Sequence, residues 1–534
     1  MKEGDALDEI LVHIGDFGKH QTIAFVLICI VVVFNSATHM AYVFTAMDSE
    51  YRCLVPQCDN PEPKFQEKWL DIAIPSSSTN KSRKCDMYAT FPNLTLTSDN
   101  CSVVQFDRSH LVTCSEHVFK DDEHYIAREY GLLCEDQIWK LSLVGTFNSA
   151  GCFFGLLLTG IVSDRYGRKI VLLMGMMLCG AAGIIKAYAI TFEWFCFMEF
   201  MEALLAAGSY GSGFILGVEL VIPENRVRTS SFLFSCYAIG EVFVAAVAWA
   251  VRDWRLLLYI IYGPCILLTF FYWSIPESVR WYLSKGEIEK PRKILKKFAK
   301  SSGKSLQEKH FHKLNRNFLE KQDENETLSF MDMIKSVKLF LRLVNCGFLW
   351  MACSLLFYGI TLNSVTLAGN SYLDFILISL TEIPAYWCVY LVVEKIGRKL
   401  ALCGSFVITS ASCLGFILIE RKDEWLHMLV YCSGKFGATS AFILIYVITS
   451  ELFPTPIRHT TMGICSMIGR VGSIVSPQIP LLGLVWPPLP LMMFASMAAV
   501  SGIISLFLPE TLHKKLPDTI KEAETIGKQE TNLK

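Results

Sequence analysis

Apolar residues run along this chain in stretches of about twenty, the length a helix needs to cross a bilayer core of about 30 Å. They fall near 21–46, 140–162, 170–190, 194–220, 229–251 and 255–275, then near 343–363, 371–393, 399–419, 426–450, 458–484 and 487–508. The pattern predicts an all-α polytopic membrane protein of twelve transmembrane helices, six in each of two bundles. Polar stretches divide the chain into an N-terminal segment (1–20), a first helix (21–46), an outer loop (47–139), the rest of the first bundle (140–275), a central loop (276–342), a second bundle (343–508) and a tail (509–534). The start carries Asp5, Asp8, Glu9 and Asp16 and lacks a basic leader and small-residue cleavage site, so the first run reads as a span and not as a secretory signal.

Charge orients the spans. Lysine and arginine crowd the central loop, from Lys290 to Lys304, and the turns after the second and eighth spans (Arg165, Arg168, Lys169; Lys395, Arg398, Lys399), which predicts a cytoplasmic position for those segments and for both termini. The central loop is helical in pattern, with Ile294, Leu295 and Phe298 on one face, and is a candidate for regulation by phosphorylation or anionic lipid. The outer loop then lies outside. It holds Cys53, Cys58, Cys85, Cys101, Cys114 and Cys134, an even number that suggests disulfides of undetermined pairing, and glycosylation sequons at Asn80, Asn93 and Asn100. The other thirteen cysteines fall in apolar runs and read as packing residues; Asn325, a formal sequon in the central loop, is expected to be unmodified.

The chain also repeats itself. Asp164-Arg-Tyr-Gly-Arg-Lys returns as Glu394-Lys-Ile-Gly-Arg-Lys, Glu219 ahead of Pro223 and Arg226 returns as Glu451 ahead of Pro454 and Arg458, and Pro276-Glu-Ser returns as Pro509-Glu-Thr. The offsets are 230, 232 and 233 residues, which implies two similar halves with a substrate site between them near mid-bilayer. Composition agrees, since 52% of the 534 residues are hydrophobic and 19% charged against about 25% in soluble proteins. A net charge of −1 offers no field for nucleic acid.

In these residues the chain resembles the organic cation/organic anion/carnitine transporter family of the major facilitator superfamily. The resemblance runs through Ile14-Gly-Asp-Phe-Gly-Lys-His-Gln, the cysteine-bearing outer loop, Tyr130-Gly-Leu-Leu-Cys-Glu, Asp164-Arg-Tyr-Gly-Arg, Pro276-Glu-Ser-Val-Arg-Trp, Tyr372-Leu-Asp-Phe, Glu382-Ile-Pro, Gly434-Lys-Phe-Gly and Glu451-Leu-Phe-Pro-Thr-Pro-Ile-Arg. It implies two bundles that rock about a central cavity in the plasma membrane, by facilitated diffusion, ion-coupled uptake or exchange. The partners implied are a small organic ion, membrane lipid, and a coupling ion (Na+ or H+) or counter-substrate. No cofactor or metal is implied.

Two groups of residues are expected to carry the chemistry. Asp164, Arg165, Arg168, Glu219, Arg226 and Arg228, with Glu394, Arg398, Glu451 and Arg458, form a candidate cytoplasmic gate whose charge pairs close one state and part in the other. The alternative is that they only orient the spans. Inside the spans, ionisable residues are costly and normally face a cavity or a partner. Glu202, Glu241, Glu382, Lys435 and Arg470 qualify, with Glu199 as a further acidic position, while Lys186 and Glu193 are placed near the outer surface, within reach of water.

Arg470 stands where the resembled family carries aspartate in cation transporters and arginine in anion and carnitine transporters, and a guanidinium favours a carboxylate-bearing ligand. Glu382 matches a family acidic position. Glu241 departs from the family pattern, and both acids favour an amine or zwitterion. The competing expectation is that Glu382 with Lys435, and Glu241 with Arg470, are structural ion pairs. Phe357, Tyr358, Tyr386 and Tyr446 are the favoured aromatic candidates, with Trp350, Trp387, Tyr237 and Phe442 beside them, because ring faces attract alkylammonium groups. Asn35, His39 and Asn363 are weaker polar candidates. The reading is a transporter of organic cations or zwitterions, with an organic-anion exchanger and a non-transporting receptor or channel as alternatives. An enzyme lacks support, since no phosphate loop, HExxH or nucleophile elbow is present.

Overall fold

In the computed structural model, the described residues are 6–526 except 16–17, 57, 76–83, 91–100, 102–105, 121, 135, 308–310, 312–329, 366–368, 420–423, 513, 515–516 and 518. The three sequons and Asn325 lie outside them. Among the described residues, eleven helices are long and apolar enough to cross a membrane: α1 (Lys19–Thr45), α2 (Ile138–Tyr166), α3 (Arg168–Lys186), α4 (Phe192–Glu219), α5 (Pro223–Val251), α6 (Trp254–Trp273), α7 (Val337–Ser364), α8 (Ser371–Ile396), α9 (Arg398–Leu418), α10 (Trp425–Leu452) and α11 (Thr460–Val485). The shorter apolar helix α12 (Leu489–Ser505) completes the second set of six.

Apolar composition makes these segments helical, because a helix satisfies every backbone group internally where no water is available. Polar side chains set several ends. Thr191, Asp253, Ser336 and Asn370 each accept a backbone N–H in the first turn of α4, α6, α7 and α8. The α2–α3 and α8–α9 turns pivot on Gly167 (φ 105°) and Gly397 (φ 94°), a region that only glycine enters at little cost.

Packing repeats at an interval of six helices. In the first half α1 packs on α5, α2 on α4 and α3 on α6; in the second, α7 packs on α11, α8 on α10 and α9 on α12. The halves meet where α5 crosses α8 and α2 crosses α11. One apolar core fills each half, and a third, with Phe44, Trp254, Tyr372 and Phe375, joins the two on the side of the 47–139 segment, termed here the loop face.

The 47–139 segment is not helical throughout. Strand β1 (Tyr51–Cys53) pairs antiparallel with β4 (His117–Phe119), and β2 (Asp86–Thr90) with β3 (Phe106–Thr113). Disulfides Cys53–Cys114, Cys58–Cys101 and Cys85–Cys134 resolve the open pairing and hold a small apolar core around Val55, Ala73 and Phe106. On the opposite, terminus face, helix Ala6–Ile14 buries Leu7, Ile10, Leu11 and Ile14 against the first half, and helix Glu289–Ser301 buries Leu295 and Phe298 beside it.

Candidate functional site: a charged chamber between two bundles

Helices α5, α7, α8, α10 and α11 place the predicted binding residues together at the junction of the halves. Lys435 of α10 lies 2.7 Å from Glu382 Oε1 of α8, both fully buried. Its ammonium also donates to Thr361 Oγ1 at 2.7 Å and to the Phe357 carbonyl at 3.3 Å, and sits 3.4 Å from the centre of the Phe357 ring. The other Glu382 oxygen accepts from the Tyr386 hydroxyl at 2.6 Å. Glu382 and Lys435 therefore form a saturated ion pair, one of the two structural pairs expected. The other is not made. Among the described residues, Arg470 makes no ion pair, and the fully buried Glu241 lies beside Glu382, Lys435 and Ser379 with neither oxygen in a closed hydrogen bond.

Arg470 instead interacts with Tyr358 and Tyr446 of its own half and with Tyr237 and Cys152 of the other. His39 of α1 completes the surround: its ring lies 5.7 Å from that of Tyr358, and its Nδ1 lies 3.2 Å from the Tyr237 hydroxyl. Further rings continue around the chamber, with Trp350, Phe357 and Tyr386 among them buried. Phe234 of α5 stacks on Tyr386 at 5.2 Å, Trp350 meets Tyr446 at 4.1 Å, and Phe357 meets Phe442 at 5.3 Å. Trp387 instead contacts Tyr390 on its own helix. Asn35 donates to Met176 Sδ, and Asn363 to the Tyr431 hydroxyl, both within one half.

The gate residues gather at the terminus face. Arg398 lies 3.4 Å from Glu451, and Arg168 lies 3.9 Å from Asp164. Arg226 pairs at 2.6 Å with Asp8 of the N-terminal helix, which Arg280 also reaches at 2.7 Å. Each of these pairs lies within one half. Arg458 donates to Thr455 Oγ1, and Arg165 lies over its neighbour Tyr166, while Arg228 and Glu394 are exposed.

Two further acids at this face, Glu277 and Glu510, escaped the sequence reading, although the repeat that marks them was visible. Glu277 accepts the backbone N–H groups of Arg168 and Lys169, and Glu510 those of Arg398 and Lys399. The adjacent hydroxyls complete each hinge: Ser278 donates to Glu219, and Thr511 donates to Glu451 at 2.5 Å. A Cβ on Gly167 or Gly397 would collide with the Glu277 or Glu510 carboxylate, so each glycine is required for contact as well as for φ. Burial is the largest influence on Glu277 and raises its pKa; burial acts the same way on Glu510, but backbone N–H donors outweigh it and hold that carboxyl below its ordinary range.

Lys186 corrects a further expectation. It does not reach water at the outer surface but is fully buried, 2.7 Å from Glu199 and in contact with Glu202. Glu193 is exposed as expected.

The halves touch at the loop face and in the middle. Tyr372 of α8 stacks on Phe44 of α1 at 5.8 Å, and Thr146 of α2 accepts from Gln478 of the α11 segment at 2.9 Å. Two matched bundles, joined on one face around a chamber that holds unpaired charge, define a membrane transporter of the major facilitator fold. A profile of the sugar (and other) transporter family matches residues 105–521, and the chain belongs to that family.

Among curated proteins, solute carrier family 22 member 2 of Homo sapiens is 29% identical over 98% of this chain and 96% of its own length. The organic cation transporter protein of Drosophila melanogaster is 27% identical over 98% and 95%, and organic cation/carnitine transporter 2 of Mus musculus 29% over 96% and 93%. Among solved structures, the partially occluded inward open conformation of the xylose transporter XylE from E. coli matches with a TM-score of 0.63 over 93% of this chain and all of that one, at 14% identity, a likeness of fold.

Proposed function

We propose that this chain carries small organic cations or zwitterions, of amine or carnitine-like type, across the plasma membrane by alternating access, with both termini cytoplasmic and no catalytic step. The supporting observation is the charge left over in the chamber. Glu382 and Lys435 cancel each other, which leaves, among the described residues, the Arg470 guanidinium without an ion pair and Glu241 as a buried acid beside Glu382 that an arriving ammonium would ionise. A ligand bearing an ammonium and a carboxylate complements both, and the Tyr358, Tyr446 and Phe357 rings suit an alkylated ammonium. The names of the curated relatives support the same substrate class. The residues at the terminus face act as the gate of this cycle.

A second reading, organic-anion exchange, is favoured by Arg470 alone. Uptake of a labelled tetraalkylammonium, a carnitine-like zwitterion and an aromatic carboxylate into expressing cells separates the two. Arg470→Ala is expected to weaken the carboxylate-bearing probes by about tenfold or more, the worth of one charge-assisted hydrogen bond, with little effect on the simple ammonium. Glu241→Gln is expected to do the reverse. Unchanged selectivity in both variants would overturn the assignment.

A further inference from the structure

The transport reading leaves unused a fully buried cluster inside the first bundle. Lys186 ends α3, and Glu199 and Glu202 lie three residues apart on one face of α4. The lysine has three protons and three acceptors: Glu199 Oε2 at 2.7 Å, Glu202 Oε2 in contact, and the Tyr262 hydroxyl oxygen of α6 at 3.3 Å. Asn148 of α2 donates through Nδ2 to Glu199 Oε1 at 2.8 Å, while its Oδ1 is buried and has no partner among the described residues. Two carboxylates against one ammonium leave a surplus negative charge, and Lys186, Glu199 and Glu202 are at most 1% exposed. An uncompensated charge at that depth is expensive, and a carboxyl group normally avoids it by retaining a proton.

Hydrogen-bond accounting around Tyr262 locates that proton. The hydroxyl lies 3.1 Å from the Thr38 carbonyl of α1, which can only accept, and 2.5 Å from Glu202 Oε1. A phenol has one hydrogen to give. If Tyr262 donates to Thr38, its contact with Glu202 is a hydrogen bond only when the carboxyl carries the hydrogen and donates it.

We propose that Glu202 is a proton-binding site of this transporter, exchanging one proton during the cycle. The proton on Oε1 is donated to Tyr262, and Tyr262 in turn donates to Thr38. When the proton leaves, the Tyr262 hydrogen turns to the Glu202 carboxylate and the tie to α1 is lost. Helix α1 also touches the second half, through Phe44 on Tyr372 at the loop face and His39 on Tyr358 in the chamber, so proton occupancy acts on an element in contact with both halves. The ligand is the proton itself, and Lys186 fixes the remaining charge at neutrality. The ionisable groups facing the cluster are Tyr42 on α1, Cys152 on α2, Cys179 and Lys186 on α3, Cys196 and Glu199 on α4, and Tyr262 and Cys265 on α6.

This inference rests on the transport reading, and two measurements on the full chain separate their fates. Uptake of a labelled tetraalkylammonium into proteoliposomes is expected to change by about threefold or more between about pH 6 and about pH 8.5 in the wild type. Glu202→Gln, which keeps a donor toward Tyr262 but cannot titrate, is expected to flatten the profile, and Glu202→Asp to restore a slope. A flat wild-type profile, or a Glu202→Gln variant that keeps the wild-type slope, overturns the proposal. The second measurement needs no transport: infrared spectra of the purified protein at neutral pH should show a carboxylic-acid C=O band in the wild type that Glu202→Gln removes. A band identical in both would sink the proton assignment even if uptake were robust. Uptake of no organic ion with the band difference present would sink the transport reading alone.

Discussion

The two halves of this transporter share a hinge and differ in how they hold buried charge. At the terminus face the first half grips its α2–α3 turn with Glu277, and the second grips its α8–α9 turn with Glu510, each across a glycine and beside a hydroxyl bonded to a span-ending glutamate. Inside the bundles the likeness ends. Apart from Arg470, the second half pairs one cation with one acid, Lys435 with Glu382, at the chamber. Apart from Glu241, the first sets one cation against two acids, Lys186 with Glu199 and Glu202, away from it. Duplicated architecture thus carries a shared hinge and two divergent electrostatic parts, and only the second-half pair borders the chamber.

The largest effects are expected where a cation is removed. Lys186→Met strips the ammonium from the Glu199 carboxylate, which Asn148 still supports beside the proton-bearing Glu202, and Lys435→Met strips it from Glu382, which Tyr386 still supports. Breaking a buried pair costs about 3–5 kcal/mol, so both variants should lose thermal stability in detergent near neutral pH, by similar amounts. Adding Glu199→Gln to Lys186→Met, and Glu382→Gln to Lys435→Met, should each recover most of the loss. A clearly larger cost for Lys186→Met would mean that both acids of the first half carry charge.

A smaller effect tests the shared hinge. Gly397→Ala introduces a side chain at positive φ against the Glu510 carboxylate, and Gly167→Ala does the same against Glu277. Each should cost about 1–3 kcal/mol, the range for strained backbone, and slow uptake without changing selectivity. A change in selectivity from either would place the hinge in contact with the substrate site, against the geometry.

Much of this was readable in the sequence, for physical reasons. Span positions followed from hydrophobic length, and the structure shifts their ends by only a few residues, as with α7, which begins at Val337 where the apolar run suggests 343. The two-half plan followed from three repeats at nearly one offset. Lys186 was misplaced because hydropathy cannot see a tertiary lid. The Tyr130 hydroxyl bonds the Ala189 carbonyl and Arg255 bonds that of Ala187, which caps the α3 end beneath the loop-face segment and excludes water from the lysine. The roles of Glu277 and Glu510 were hidden because their partners are backbone N–H groups more than a hundred residues away in the chain, which leave no side-chain signature. The failure of Glu241 and Arg470 to pair was also invisible, since opposite charges in neighbouring spans say nothing about which way each side chain turns.

The smallest expected effect is also the sharpest test of the two hinges, because their acids shift in opposite directions. Glu277 titrates above its unfolded value, so its burial favours the folded state when protonated; that contribution is full below the unfolded pKa and lost as pH rises through the folded one. Glu510 titrates below its unfolded value, so its contribution is full above the unfolded pKa and lost as pH falls through the folded one. On acidification from about pH 7 to about pH 4.5, across the ordinary glutamate range, the first hinge gains while the second loses. Melting temperatures measured across that interval should therefore fall more steeply in Glu277→Gln than in the wild type, and less steeply in Glu510→Gln. If both substitutions tilted the profile the same way, the two carboxylates would occupy equivalent environments, and the hinges would be copies in electrostatics as well as in shape.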